Sequence, residues 1–145
     1  MVMKDFKGKI LFLDTAPLIY FIEGRTEYQS VLVKIFSSID KGEYAFISST
    51  ITLLEVLVKP VKENRLDIVE KYTELLTTSK GIDVFDITIS VAKEAAKIRV
   101  KYSLKTPDAI QLATAIIFGA DLFLTNDNRL KQVTEIKIVM LSEVK

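Results

Sequence analysis

Four acidic residues of the chain lie at the end of an apolar run, inside one, or at the start of a helical pattern. They are Asp14, Glu55, Asp108 and Asp127. Carboxylates held a few ångströms apart repel one another, so such a group persists only if it shares protons or surrounds a cation. If these four side chains meet in the folded protein, they form a pocket suited to a divalent metal ion.

The rest of the composition narrows the chemistry available to such a pocket. The 145 residues include no histidine and no cysteine, which excludes thiol and imidazole catalysis, Ser-His-Asp triads, disulfides and the usual zinc sites. A metal ion would therefore be bound by oxygen atoms, which favours Mg²⁺ or Mn²⁺. The net charge is only +1, so any binding to nucleic acid would depend on local basic patches.

Each acidic residue also has a purely structural interpretation. Asp14 and Asp127 would each suit the cap of a following helix, and Asp108 lies in a first helical turn, where a negative charge interacts favourably with the helix dipole. Glu55 is harder to explain in this way, because a lone carboxylate on an otherwise apolar helix is costly unless it has a partner. Its nearest candidate partner is Lys59, four residues further along. A purely structural role is easier to accept for any one of these acidic residues than for all four together.

Short apolar runs alternate along the chain with patterns of helical periodicity. This alternation predicts an α/β fold, in which a parallel sheet has helices on both faces, within a single domain of residues 1–145. The segment 51–58 is apolar nearly all round except for Glu55, so we expect a buried helix that Lys59 and Pro60 bring to an end. The predicted strands are 9–13, 44–48, 82–86, 122–124 and 136–140, and the predicted helices are 16–24, 26–42, 51–58, 64–77, 88–102 and one that begins at 106.

The acidic residues have related positions in this predicted sheet. Ligands of open parallel sheets bind at the edge formed by the carboxyl ends of the strands. Asp14 directly follows the first predicted strand, and Asp127 follows the fourth. Glu55 lies about two helical turns beyond the second strand, and Asp108 opens the helix that leads to the fourth. We therefore expect the four side chains to converge on one cleft.

Four short segments around these residues form a recognisable pattern. They are Leu13–Tyr20, Thr50–Val56, Thr106–Ala113 and Leu124–Asp127. In this order and approximate spacing they resemble the PIN-domain family, and most of all the VapC-type toxin ribonucleases. One such segment alone would be a weak signal, whereas four together are specific.

The resemblance implies a three-layer α/β/α fold with a central parallel sheet of about five strands. It also implies an endoribonuclease that depends on Mg²⁺ or Mn²⁺, with a metal-bound water as the nucleophile. The four acidic residues match the family's acidic quartet and would be both the catalytic residues and the metal ligands, with Asp14 and Asp108 the most direct ligands. Thr15 and Thr125 match hydroxyl positions that support a metal-bound water or a carboxylate, although capping of a helix or turn is an alternative for both.

The partners expected from the resemblance are an RNA substrate and an inhibitory antitoxin protein, and a homodimer is expected as well. A role in RNA processing, outside any toxin–antitoxin pair, stays open, as does the RNA target. No signal-peptide pattern is visible, and the apolar run before Asp14 is too short to cross a bilayer. We therefore expect a soluble, cytoplasmic protein with no membrane anchor.

Two other functions stay open on the sequence alone. A receiver-like or phosphatase-like phosphoacceptor domain also binds Mg²⁺ at strand ends, but a receiver domain needs a second acid beside Asp14, whose neighbours are Leu13 and Thr15. The other alternative is a non-catalytic module that binds RNA or protein. In that case the apolar helix around residues 18–22 would contact a partner or a second subunit.

Overall fold

The computed structural model describes residues 1–24 and 26–145. At its centre is a five-stranded parallel sheet with the strand order β3-β2-β1-β4-β5. Each strand begins and ends within one residue of a predicted strand. The strands are β1 (Ile10–Leu13), β2 (Ala45–Ser49), β3 (Ile82–Phe85), β4 (Leu122–Thr125) and β5 (Lys137–Met140).

Helices connect the strands and cover both faces of the sheet. Among the described residues, none of these helices combines the length and the apolar character needed to cross a membrane. A short 3-10 helix, Asn128–Gln132, follows β4. The α-helices are α1 (Thr15–Glu23), α2 (Thr26–Asp40), α3 (Thr50–Lys62), α4 (Leu66–Thr78), α5 (Ile89–Tyr102) and α6 (Thr106–Ile117).

Several helix ends follow from local sequence signals. The Ser49 hydroxyl accepts a hydrogen bond from a backbone N–H in the first turn of α3, and Thr88 does the same for α5. Such capping satisfies N–H groups that have no partner within the helix. Gly24 ends α1 in a left-handed conformation with φ of 72°, which glycine adopts without the steric cost that other residues incur.

Successive residues of β1 point to opposite faces of the sheet. Leu11 and Leu13 pack in a core with residues of α1 to α4, whereas Phe12 packs in a second core with residues of α5 and α6. All three side chains are fully buried, and burial on this scale stabilises the fold by about 1.5–3 kcal/mol per side chain. Phe12 also stacks on Phe123 of β4, with 4.9 Å between the ring centroids. The protein therefore has the three α/β/α layers that were predicted.

The register between β1 and β4 brings two loops of the chain together at one edge of the sheet. Leu13 pairs with Leu124, and the backbone N–H of Asp14 donates a hydrogen bond of 3.1 Å to the carbonyl of Leu124. Residues that follow these two strands are therefore neighbours, although more than a hundred positions separate them in the sequence.

The prediction that Lys59 and Pro60 end α3 is wrong. The helix continues to Lys62 with Pro60 inside it. The chain keeps turning beyond the proline. The backbone N–H of Glu63 donates a hydrogen bond of 3.0 Å to the carbonyl of Lys59, and that of Arg65 donates one of 2.8 Å to the carbonyl of Pro60. A proline removes one hydrogen bond from a helix, and here it does so in the last turn, where little helix remains to be disrupted.

The prediction that α3 is buried nearly all round is also wrong. Val56 is buried, but Leu54 and Val58 are 59% and 58% exposed, and Glu55 is exposed as well. The helix covers the sheet with one face, so its other apolar face lies at the surface. The argument that Glu55 is a buried carboxylate in need of a cation therefore fails.

Candidate active site

One open cleft at the carboxyl edge of the sheet is lined by all four acidic residues singled out in the sequence. It has a volume of about 540 Å³ and is also lined by Thr15, Thr125 and Arg129. The four acidic residues are Asp14, Glu55, Asp108 and Asp127. The fold thus brings together side chains from both halves of the chain, as expected. Their chemical roles stay a prediction.

Asp14 lies deepest in the cleft, where it follows β1 and caps α1. Its carboxylate accepts hydrogen bonds from the backbone N–H of Thr15 (2.9 Å) and from the hydroxyl of Thr125 (2.7 Å). The pKa of Asp14 is raised to about 6, chiefly by burial; the negative charges of Asp108 and Glu55 also raise it, while the two hydrogen bonds lower it. Asp14 is therefore a carboxylate that ionises with difficulty unless a positive charge is nearby.

Thr125 connects Asp14 to the next acidic residue of the cleft. Its side chain is fully buried. Besides donating to Asp14, its hydroxyl accepts a hydrogen bond of 3.1 Å from the backbone N–H of Asp127. One hydroxyl thus fixes both the carboxylate at the end of β1 and the start of the loop after β4.

Glu55 is exposed and has a partner within the cleft. The hydroxyl of Thr15, in the first turn of α1, donates a hydrogen bond of 2.9 Å to its carboxylate. The alternative partner considered from the sequence, Lys59, lies instead 3.7 Å from the carboxylate of Glu23. Thr15 and Thr125 therefore each donate a hydrogen bond to one carboxylate of the cleft, and their supporting role in the chemistry stays a prediction.

Asp127 and Asp108 share a positively charged partner, Arg129. The guanidinium lies 2.6 Å from the Asp127 carboxylate and 3.5 Å from that of Asp108. The hydrogen bond from Arg129 is the main reason why the pKa of Asp127 is lowered. For Asp108, burial outweighs the attraction of Arg129, so its pKa is raised. The sequence alone did not predict that Arg129 contacts both acidic residues.

A sequence model of the PIN domain matches residues 11–136. The chain belongs to the PIN-domain family. The match extends from β1 to the loop before β5 and includes every acidic residue of the cleft. No curated protein sequence is significantly similar to the chain.

Solved structures of other PIN-domain proteins share this fold. The toxin–antitoxin complex VapBC2 of Rickettsia felis, bound to a promoter DNA fragment, superposes with a TM-score of 0.73 at 15% identity, over 90% of this chain and 98% of that one. A toxin–antitoxin complex from Klebsiella pneumoniae has a TM-score of 0.69 at 24% sequence identity, over 90% of this chain and 97% of that one. The toxin VapC20 of Mycobacterium tuberculosis, which cleaves the sarcin–ricin loop, gives 0.69 at 14% identity, over 88% and 98%.

A buried polar network holds α6, and with it Asp108, against the rest of this PIN domain. The amide of Gln111 accepts a hydrogen bond from the hydroxyl of Ser49 and donates one of 2.5 Å to the hydroxyl of Thr52. All three side chains are buried, so each depends on the others for its hydrogen bonds. The sequence analysis missed this role of Gln111; the signal was a polar residue on an apolar helix, one turn after Asp108.

The rim of the cleft is aromatic on one side. Tyr20 lines the cleft and stacks on Tyr28 of α2, with 5.2 Å between the ring centroids. Asn126, between Thr125 and Asp127, donates a hydrogen bond of 3.2 Å to the Tyr28 hydroxyl. This contact joins α2 to the loop that carries Asp127, and sequence reasoning gave no reason to single it out.

The donor atoms of the cleft fit the divalent ions that PIN nucleases generally use. Carboxylates and hydroxyls supply only oxygen, which suits Mg²⁺ and Mn²⁺, and the pKa of Asp14 is raised first by burial and then by the charges of Asp108 and Glu55. In the described residues, however, no group of three or more acidic side chains is arranged so that it holds a metal ion directly. A cation bound here would therefore have water among its ligands or would require the carboxylates to rearrange.

Proposed function

We propose that this PIN domain, acting as one unit over residues 1–145, is an endoribonuclease that depends on Mg²⁺ or Mn²⁺. The observation that carries the proposal is the convergence of four carboxylates from separate parts of the chain on one open cleft. A like-charged group of this kind costs free energy in the absence of a cation. Structural roles as caps or in a first helical turn account for Asp14, Asp127 and Asp108 one at a time, but not for their convergence with Glu55 on one cleft.

The residues of the cleft have distinct parts in this proposal. Asp14 and Asp108 would bind the cation directly, and Glu55 and Asp127 would bind it directly or through water. When bound, the cation would lower the pKa of a water molecule and neutralise charge on the scissile phosphate. Thr125 keeps the Asp14 carboxylate in position through the hydrogen bond of 2.7 Å.

The shape and charge of the cleft suit a polymer with a phosphate backbone. The cleft is an open groove, so a chain has room to pass through it. Lys105, at the start of α6, is exposed and lies within electrostatic range of both Asp108 and Asp127. A positive side chain beside the carboxylates would contact phosphates on either side of the cleaved bond.

Cleavage of a mixed RNA pool tests this function. The protein would be stripped with EDTA and assayed with Mg²⁺, with Mn²⁺ and without metal, as wild type, as Asp108→Asn and as the control Asp86→Asn. Asp86 is exposed after β3 at the same edge of the sheet but does not line the cleft. We expect cleavage by the wild type and the control only when metal is present, and a loss of at least about a hundredfold in Asp108→Asn.

The chemistry of the cut ends provides a second test. Attack by water on phosphorus, with departure of the 3′ oxygen, leaves a 3′-hydroxyl and a 5′-phosphate. Attack by the neighbouring 2′-hydroxyl would instead leave a 2′,3′-cyclic phosphate. Cyclic ends, or cleavage that persists in EDTA, would exclude the proposed mechanism.

We also propose that the protein is the toxin of a toxin–antitoxin pair and that a small antitoxin protein inhibits it. The support is the fold shared with structures described as toxin–antitoxin complexes. A short open reading frame next to the gene, whose product copurifies with the protein and suppresses RNA cleavage, is the expected result. A homodimer is part of the same proposal, and a mass of one chain by light scattering across micromolar concentrations would exclude it.

A further inference from the structure

Arg129 contacts two of the proposed metal ligands at once. Its Nε atom lies 3.1 and 3.2 Å from the two carboxylate oxygens of Asp127, and its terminal nitrogen lies 2.6 Å from one of them. The same terminal nitrogen is 3.5 Å from the carboxylate of Asp108. The guanidinium thus occupies the space between two carboxylates that come from different elements of the fold.

These contacts differ from those of an ordinary surface ion pair. An exposed pair of long side chains has many alternative geometries and contributes little, whereas a guanidinium that grips a carboxylate with two nitrogens is directional. The backbone N–H of Arg129 also donates a hydrogen bond of 2.9 Å to Asp127, so the turn itself sets the guanidinium beside its partner. Both carboxylates are only 25–28% exposed.

The guanidinium nonetheless remains able to leave. The Arg129 side chain is 58% exposed, so it can rotate into solvent without unfolding the short 3-10 helix on which it lies. The backbone N–H bond to Asp127 would persist when it does. A cation bound by Asp108 and Asp127 would compete with Arg129 for their carboxylate oxygens, above all for those of Asp127, which the guanidinium grips.

We infer that Arg129 is the built-in counter-ion of Asp108 and Asp127, and that it exchanges its place with the divalent cation when the cleft is loaded. This inference rests on the proposed function, because it assumes that these carboxylates take a cation. The exchange is consistent with the finding that, among the described residues, no three acidic side chains are arranged to hold a metal ion together. In this exchange Arg129 weakens metal binding and stabilises the cleft in its metal-free form.

Calorimetric titration of the EDTA-stripped protein with Mn²⁺ and with Mg²⁺ tests the exchange. We expect Arg129→Gln to bind the metal roughly three- to tenfold more tightly than the wild type, at or somewhat above the range for an ordinary exposed ion pair because the two-nitrogen grip is directional. Arg129→Lys keeps the charge but loses the two-nitrogen grip. Its metal affinity should therefore lie between those of the wild type and Arg129→Gln. The matched control is Lys105→Gln, which removes a positive charge that acts on the same two carboxylates from a distance.

A second measurement follows the guanidinium itself. In ¹⁵N NMR spectra, the Arg129 Nε–H signal should shift on addition of Mg²⁺ and lose its protection against exchange with water. Affinities that are unchanged or weaker in Arg129→Gln, an equal gain in Lys105→Gln, or an unaltered Nε–H signal would each overturn the exchange while leaving the proposed function intact. Absence of metal binding in the wild type and all variants would overturn both.

Discussion

The hydroxyl of Thr125 donates a hydrogen bond of 2.7 Å to the carboxylate of Asp14, and so joins the ends of two neighbouring strands. The same oxygen accepts a hydrogen bond from the backbone N–H of Asp127. Because Thr125 is fully buried, its hydroxyl has no water as an alternative partner. The geometry of the cleft therefore depends on this one hydroxyl, which positions both Asp14 and the backbone of Asp127.

Replacement of Thr125 by valine removes this hydroxyl at almost constant volume. We expect the free energy of unfolding to fall by about 1–3 kcal/mol, because buried polar groups lose their partner. RNA cleavage should fall as well, since Asp14 is no longer held. Thr125→Ser keeps the hydroxyl and is the control; denaturant unfolding and cleavage assays on both variants measure the difference. Equal loss of activity in the serine and valine variants would show that the methyl group, not the hydroxyl, matters.

The raised pKa of Asp14 predicts a pH dependence of stability in the metal-free protein. Its pKa rises from the usual 3.8 to about 6, chiefly through burial, so the folded state binds this proton more tightly than the unfolded state does. The resulting contribution to stability is complete below about pH 4 and is lost as the pH rises through about 6. Asp14→Asn has no ionisable group at this position. Its free energy of unfolding should therefore rise relative to that of the wild type as the pH increases from about 4 through about 6.

The expected gain of Asp14→Asn between pH 4 and pH 7 is on the order of 2–3 kcal/mol in the free energy of unfolding. It would be measured by urea unfolding in EDTA at several pH values. For the control Asp86→Asn, at an exposed position after β3, the free energy of unfolding should change with pH in the same way as that of the wild type. A difference between Asp14→Asn and the wild type that does not change with pH would contradict the assigned burial of this carboxylate.

The polar network around Gln111 predicts a large effect of a substitution outside the cleft. Gln111→Leu has a similar volume but leaves the buried hydroxyls of Ser49 and Thr52 without their side-chain partner. We expect a loss of about 2–4 kcal/mol in the free energy of unfolding. Adding Thr52→Val, which removes one stranded hydroxyl and leaves the Ser49 cap of α3 in place, should recover part of this loss. Failure of the double variant to recover any stability would argue that packing, not hydrogen bonding, sets the cost.

The two faces of α3 provide a matched pair of substitutions. Val56 is buried and Val58, two residues on, is 58% exposed. We expect Val56→Ala to cost about 1–3 kcal/mol in the free energy of unfolding, and Val58→Ala to change it by less than about 0.5 kcal/mol. Thermal or denaturant unfolding of both variants at the same protein concentration measures this. A large loss for Val58→Ala that depends on protein concentration would show that another chain covers this face.

Much of the fold was predictable because its signals are local. The five strands appear in the sequence as short apolar runs. A strand that is buried on both faces, such as the one that contains Phe12, has no alternating polar residues, so its apolar run is easy to recognise. Capping residues such as Thr88 and the stop at Gly24 act on their nearest neighbours, so they too are visible in the chain itself. The prediction for α3 failed because an apolar sequence does not say which of its faces another element will cover.

The sequence by itself determined which chemistry is available. It supplies carboxylates and hydroxyls but no imidazole or thiol, and it places four acidic residues where parallel strands and their helices bring them to one edge. Only the tertiary structure decided how these groups are engaged: Glu55 is exposed and held by Thr15, and Arg129 lies between Asp108 and Asp127. The physical reason is that residue type and periodicity are local properties, whereas burial, ion pairs and pKa shifts depend on side chains that meet only after the chain has folded.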